Sequence, residues 1–324
     1  MTETANKKNV ATLDLMKFIM ALLVVGIHTE PFGFNIWLDR GYGIITRACV
    51  PFFFITSGYF FFIKEKDPVK YLKRIFILYA VWSIVFLPFD LPLLSTMTPG
   101  EILVRYLWNG NGHGLWYLCG TLTGFIITYT LSRYLKPKTV LTIGIVFLVI
   151  GCMKSTWAPL FSSLLHVNIP DFLGSRNGLF YGFPYLSLGL YIAKTPPQGK
   201  QKDLRKIFLL LIVSLFALII ESLVFVIIYN TSARILWISL LPFAYGLFLL
   251  GNNLEINLSK DISLFVRKTS TLIYVSQYVF ILLLEPYLKG IPLFFATIFI
   301  TISFAAIVIK LSEHKPFRWL KWIY

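Results

Sequence analysis

Apolar residues in this chain come in runs of about twenty, which is the length of helix that crosses a hydrocarbon core roughly 30 Å thick. Polar and basic residues separate the runs, and proline, glycine and asparagine mark the longest connections. The pattern predicts an all-α, polytopic integral membrane protein with about ten transmembrane helices. The predicted spans are Leu13–Phe32, Ile44–Ile63, Ile75–Leu94, Leu115–Tyr134, Val140–Met153, Leu179–Ala193, Ile207–Tyr229, Ile235–Gly251, Thr271–Leu288 and Ile291–Leu311.

Three of the runs depart from an ideal span. The third contains Pro88 and Pro92, and proline removes a helical hydrogen bond, so we expect its outer end to kink or unwind. The fifth and sixth runs are short enough to be tilted or partly re-entrant.

The basic residues support this division of the chain. If the N-terminus is inside, 22 of the 30 lysines and arginines fall in inner segments and seven in outer segments, with Lys17 within a span. The positive-inside rule then predicts that both termini are cytoplasmic. We expect residues 1–324 to form one membrane-embedded domain.

A net charge of +15 would suggest a nucleic-acid partner in a soluble protein. Here 57% of the residues are hydrophobic and the basic residues lie between the apolar runs. They are therefore interpreted as topology signals and as contacts with anionic lipid headgroups, with no nucleic acid as partner. The predicted location is the bacterial cytoplasmic membrane. The chain has no Walker loop, dinucleotide fingerprint, HExxH or GxSxG motif, and no metal site is predicted.

The first apolar run carries three ionisable residues, Asp14, Lys17 and His28. Lys17 and His28 are eleven positions apart, so they lie about 20° apart around a helix and about 16 Å apart along it. An ionisable stripe inside a membrane is costly unless it faces a cavity or a partner helix. We therefore predict a tunnel that runs from Lys17 to a layer of polar groups around His28.

Three residues are candidate catalytic groups. His28 could act as a general base, because a neutral imidazole can take a proton from an alcohol near neutral pH, or it could be a structural histidine satisfied by a neighbouring helix. Lys17 could bind a phosphate or carboxylate, or pair with Asp14 one turn before it. Glu221 could orient His28, or form a structural salt bridge with an outer arginine.

Other segments bring polar groups toward the same outer layer, and most of these residues introduce a span. Ser57 precedes Gly58, where a close helix contact is favoured over a nucleophile. The candidate substrate-binding residues are Asp14, Arg47, Ser57, His113, Trp116, Tyr117, Arg176, Asn177, Tyr274 and Gln277.

Five segments, taken in order along the chain, resemble motifs of the acyltransferase-3 family of bacterial integral-membrane acyltransferases. They are LDLMKFIMALLVVGIH, RACVPFFFITSGYF, HGLWYL, RNGLFYGFPYLSLGLYIA and TLIYVSQYVF. The resemblance implies that acetyl-coenzyme A, or another acyl-coenzyme A, binds from the cytoplasm and that its acyl group passes to a hydroxyl on the outer side.

By the same resemblance, Lys17 stands where an arginine normally contacts the donor, and His28 stands where the essential histidine lies. Two departures matter. Lysine lacks the bidentate fork of arginine, and Gln277 occupies a place where the family often has histidine.

The expected function is O-acetylation of an extracytoplasmic glycan or envelope component. An alternative stays open, because RNGLFYGFPYLSLG and IIESLVF are also similar to the membrane half of the vancomycin-resistance serine racemases. That similarity implies a permease for a small amino acid such as serine. In such a carrier Arg47 or Arg176 would hold the carboxylate and Glu221 the amine.

Overall fold

The computed structural model describes residues 2–166, 174–195, 203–229 and 236–324. These residues form thirteen α-helices, a π-helical turn at Gly178–Gly182 and a 3-10 helix at Lys315–Trp322, and they contain no strand. The all-α prediction is therefore confirmed. The helices are α1 (Thr2–Thr29), α2 (Ile36–Thr46), α3 (Cys49–Ile63), α4 (Pro68–Leu94), α5 (Pro99–Leu107), α6 (Trp116–Ser132), α7 (Pro137–Lys154), α8 (Ala158–Leu165), α9 (Phe183–Lys194), α10 (Leu204–Tyr229), α11 (Leu240–Asn253), α12 (Lys260–Leu284) and α13 (Gly290–Leu311).

Each of the ten predicted spans overlaps one long helix, and α2, α5 and α8 are short additions between them. The predicted start of the eighth span, residue 235, lies outside the described residues. Six described segments are long and apolar enough to cross a membrane on length and composition alone, so ten spans and cytoplasmic termini stay predictions. These segments are Ala11–Thr29, Ile36–Ile63, Pro68–Leu94, Pro137–Lys154, Leu204–Phe225 and Gly290–Leu311.

Two local predictions are corrected by the helix bounds. Helix α4 continues through Pro88 and Pro92, so its outer end does not unwind, while the alternative of a kink stays a prediction. Prolines are tolerated in membrane helices where neighbouring groups satisfy the freed carbonyls. The predicted second span is two helices, because the chain breaks at Arg47 and Ala48 between α2 and α3.

The centre of the bundle is the close contact between α3 and α9. A Cβ atom built on Gly58 would lie 2.6 Å from the carbonyl oxygen of Leu186, and one on Gly189 would lie 2.5 Å from that of Ile55. Only glycine allows two helix backbones to approach this closely. The predicted helix contact beside Ser57 is confirmed.

Helix α1 lies inside the bundle, where it packs against α3, α11, α12 and α13. Its Leu13, Ala21 and Val25 are all almost completely buried. By contrast, α10 packs on α11 and turns Leu209, Ile212 and other apolar side chains outward, which gives a surface suited to lipid. The ionisable stripe of α1 is thus enclosed by protein.

Candidate functional site

Lys17 lines a cavity of about 460 Å³, which we call the Lys17 cavity. Its ammonium group lies 2.6 Å from a carboxylate oxygen of Asp14, one turn earlier on α1. Asp14 is fully buried; its other oxygen accepts a hydrogen bond from Ser263 at 3.1 Å and lies 3.9 Å from Arg267. The ion pair between Asp14 and Lys17, one of the two alternatives that the sequence left open, is present. It does not exclude a binding role, because Lys17 still lines the cavity.

The Lys17 cavity is strongly cationic. Burial, together with Lys64 and other nearby cations, lowers the pKa of Lys66 to about 8. Glu65, next to it in the chain, is directed to Lys194 at 2.9 Å, and that contact lowers the pKa of its carboxyl. The cationic side chains that line the cavity are Lys17, Lys64, Lys66, Arg74, Arg267 and Lys268. They make this cavity suitable for a ligand that carries several phosphates.

Aromatic residues and several hydroxyl-bearing residues also line the Lys17 cavity. The hydroxyl groups of Ser57 and Tyr117 lie 3.0 Å apart, and Tyr71 and Tyr274 also face the cavity. Of the predicted binding residues, Asp14, Ser57, Tyr117 and Tyr274 are thus brought together here.

His28 lines a second cavity of about 350 Å³, which we call the His28 cavity. Arg47 and Arg176 line it too, and each guanidinium lies 5.7 Å from the centre of an indole ring, that of Trp237 and Trp116 respectively. The predicted residues Arg47, Trp116, Arg176 and Tyr274 are therefore grouped with His28. His28 also lines a further cavity of about 600 Å³ with Glu285 and Lys289.

The two cavities meet at Tyr274, which lines both of them. Its hydroxyl donates a hydrogen bond to the carbonyl of Gly114, and its ring packs against those of Tyr117 and Phe53. A Cβ atom on Gly114 would lie 3.8 Å from Nε2 of His28. The open tunnel predicted from Lys17 to His28 is thus divided by an aromatic wall next to the imidazole.

A buried carboxylate that the sequence analysis missed lies behind this wall. Asp90 is 1% exposed; one oxygen lies 2.6 Å from Arg105 and 3.0 Å from Nε2 of His113, and the other accepts from Tyr106 at 2.8 Å. The signal was an aspartate inside an apolar run, between Pro88 and Pro92.

Asp90, Arg105, Tyr106 and His113 form the Asp90 cluster, and Tyr278 lies between this cluster and His28. The ring of His113 stacks on Phe86 and lies 5.3 Å from that of Tyr278, and the ring of Tyr278 lies 5.1 Å from that of His28. His113 lines neither the Lys17 cavity nor the His28 cavity. It holds the loop that precedes α6, rather than standing free to bind a substrate.

The position of Glu221 corrects the role predicted for it. Its carboxylate accepts from Nε1 of Trp157 at 3.0 Å, from the backbone of Ile238 at 3.1 Å and from Ser239. It makes no contact with His28 among the described residues and lines neither cavity. Glu221 accepts hydrogen bonds from backbone donors at the start of α11. Its role is therefore structural, as in the second alternative, but its partners are backbone groups and not an arginine.

Two more predicted binding residues also lie outside both cavities. Asn177 caps the π-helical turn, accepting from the backbone of Leu179 and Phe180. Gln277 is 2% exposed and donates to the carbonyl of Tyr274 at 3.2 Å. Asn177 hydrogen-bonds the backbone that follows Arg176, and Gln277 hydrogen-bonds the backbone of Tyr274. Within the described residues, no group of three or more histidine, cysteine or acidic side chains could hold a metal ion.

Comparison with known proteins gives one family and three relatives. A family profile described as an acyltransferase domain matches residues 10–311. A serine/alanine racemase of Enterococcus gallinarum is 28% identical over 65% of this chain and 32% of its own length. An amino-acid racemase of Enterococcus faecalis is 26% identical over 60% of this chain and 30% of its own, and a second is 24% identical over 87% and 42%. The chain thus spans less than half the length of these relatives. No solved structure matches.

Proposed function

Because the chain belongs to the acyltransferase-3 family, we propose that this multi-pass membrane acyltransferase moves an acetyl group from cytoplasmic acetyl-coenzyme A to a hydroxyl of an extracytoplasmic glycan or envelope component. The observation that carries the proposal is the pair of cavities that meet at Tyr274. One is cationic and the other contains an imidazole.

The donor is assigned to the Lys17 cavity. Coenzyme A carries several phosphates, and the six cationic side chains around this cavity match that charge. Lys17 lies deepest along α1, so it is the cation nearest to the path toward His28. The pantetheine arm would extend past Ser57 and Tyr117 toward Tyr274, which brings the thioester to the wall between the cavities.

The acceptor is assigned to the His28 cavity. In the proposed step His28 removes the proton from the acceptor hydroxyl, and the oxygen attacks the thioester carbonyl carbon. The carbon–sulfur bond then breaks, the new ester remains on the acceptor, and the thiolate of coenzyme A takes up the proton that His28 removed. For this step the side chain of Tyr274 must move, because it lies between the two cavities.

The permease is kept as a second candidate because the relatives found include a serine/alanine racemase. The contacts of Glu221 weaken it, because they leave the predicted amine ligand outside the His28 cavity. Glu30 and Asp39 are the carboxylates that line this cavity, and they would have to replace it.

One assay separates the two functions. Purified protein is reconstituted in vesicles and supplied with radiolabelled acetyl-coenzyme A and purified cell-envelope glycan. The acyltransferase is expected to give a base-labile acetyl ester on the glycan. Accumulation of radiolabelled serine in vesicles without coenzyme A, with no label on the glycan, would instead favour the carrier and contradict the proposal.

A further inference from the structure

The His28 cavity is lined by three arginines, Arg40, Arg47 and Arg176, and no described carboxylate forms a salt bridge with any of them. Arg47 and Arg176 form no salt bridge within the described parts of the chain, and each faces an indole ring instead. Two other cations in the bundle are paired with buried acids. Arg105 lies 2.6 Å from Asp90, and Lys17 lies 2.6 Å from Asp14. The cationic pair beside His28 therefore has an unbalanced charge.

The backbone holds both arginines in place. Arg47 ends α2 at the break before α3, and Arg176 precedes a turn that Asn177 fixes through three hydrogen bonds. The guanidinium is planar because its charge is delocalised, and an indole against its face leaves the N–H donors at its edge available. Two such forks in one cavity repel each other unless an anion lies between them.

The carboxylates that line the same cavity do not supply this anion. Glu30 is exposed and Asp39 is half-buried, at the first turn of α2. Neither is paired with Arg47 or Arg176 in the described structure. Arg176 is itself exposed and Arg47 is half-buried, so water also reaches the arginines. The two carboxylates form no ion pair that would occupy the N–H donors of either guanidinium.

We propose that the acceptor carries an oxyanion, a carboxylate or a phosphate, next to the hydroxyl that is acylated, and that Arg47 and Arg176 clamp this oxyanion beside His28. The inference rests on the proposed function and adds the substrate class. Guanidinium is the preferred partner of both oxyanions because it donates two parallel hydrogen bonds. A cavity of about 350 Å³ is of the size used for small ligands, so the occupant is an anionic sugar or polyol unit.

Binding is measured first, without acetyl-coenzyme A, as thermal stabilisation of the full chain in detergent. The probes are matched pairs: glucuronate against glucose, and glycerol 3-phosphate against glycerol. We expect the anionic member of at least one pair to stabilise the protein and the neutral member to have no effect. Arg47→Gln and Arg176→Gln should each weaken this binding at least about tenfold, the loss expected for one charge-assisted hydrogen-bonding group.

Two further variants control for folding and for net charge. Arg47→Lys keeps the charge but loses the fork, and it should retain an intermediate affinity. Arg318→Gln removes an exposed arginine that lies outside both cavities, and it should bind like the parent chain. If the glutamine variants unfold, the lysine variant still tests the clamp.

Several results would overturn the inference. Equal binding of neutral and anionic probes, or unchanged binding by both glutamine variants, would show that Arg47 and Arg176 do not bind an oxyanion. Stabilisation by phosphatidylglycerol vesicles alone would assign the arginines to a lipid headgroup, and stabilisation by free serine alone would assign them to the carrier function. If anionic probes bind but no acetyl transfer occurs, the oxyanion site stands and the acyltransferase proposal fails.

Discussion

The Lys17 cavity and the His28 cavity both attract anions, but they are built from different cations. Four of the six cations around the first are lysines, whose ammonium groups are compact point charges on flexible stems. The arginines that line the second are planar forks, each 5.7 Å from the centre of an indole ring. The difference matches two kinds of ligand: a polyphosphate with charge at several places, and a single oxyanion that must be oriented.

The two cavities also differ in how their buried charge is balanced. Asp14 neutralises part of the Lys17 cavity and fixes the position of Lys17. Beside His28, the comparable buried acid is Asp90, which lies behind the wall and is paired with Arg105 and His113 instead. We therefore expect changes in the Lys17 cavity to alter donor binding and changes in the His28 cavity to alter the chemical step.

The largest effect is expected from His28→Ala. Removing a general base lowers kcat about 10²–10⁴-fold, and the KM for acetyl-coenzyme A should change little because the donor is bound elsewhere. Steady-state transfer with the reconstituted protein measures both. His314→Ala is the matched control, since this histidine is exposed and lies outside both cavities. Normal acetylation by His28→Ala would remove the imidazole from the mechanism.

A smaller effect is expected from Lys17→Ala, and it should appear in the KM for the donor, acetyl-coenzyme A. We expect the KM for acetyl-coenzyme A to rise about tenfold, as for the loss of one charge-assisted contact, and thermal stability to fall because Asp14 loses its nearest cation.

Lys17→Arg should retain the use of acetyl-coenzyme A. Lys138→Ala is the control, because this lysine is exposed and lines none of the three cavities. A destabilised Lys17→Ala protein with unchanged donor dependence would show that the lysine serves Asp14 alone.

The smallest effect is a pH dependence of donor binding through Lys66. Its folded pKa is about 8, below the ordinary value of 10.5, so the protonated form is disfavoured and stability rises as pH increases above 8. A bound polyphosphate stabilises the ammonium form of Lys66 and so raises its pKa. Above pH 8, donor binding is therefore accompanied by the uptake of a proton. The KM for acetyl-coenzyme A should therefore rise above pH 8.

Lys66→Arg should flatten this rise, because guanidinium stays protonated over the whole range. An unchanged profile in that variant would assign the titration to another group. Parallel titration of donor binding without an acceptor separates this effect from that of His28 on chemistry.

The sequence by itself determined the helices and the stripe on α1. Runs of apolar residues predicted all ten long helical segments, because backbone groups within a membrane must form their hydrogen bonds inside the same segment, as they do in a helix. Lys17 and His28 were found by helical periodicity, and the contact of Lys17 with Asp14 is local, one turn along the same helix.

Only the tertiary structure decided which polar residues share a cavity. Glu221 and Asp90 are both acids within apolar runs, yet one satisfies the start of α11 and the other supports the loop beside His28. Their partners are distant in the sequence or lie on separate helices, so no periodicity connects them. The wall at Tyr274 likewise depends on α12 meeting α3 and the loop before α6. Such contacts follow from how the helices pack, which the sequence pattern of a single helix does not contain.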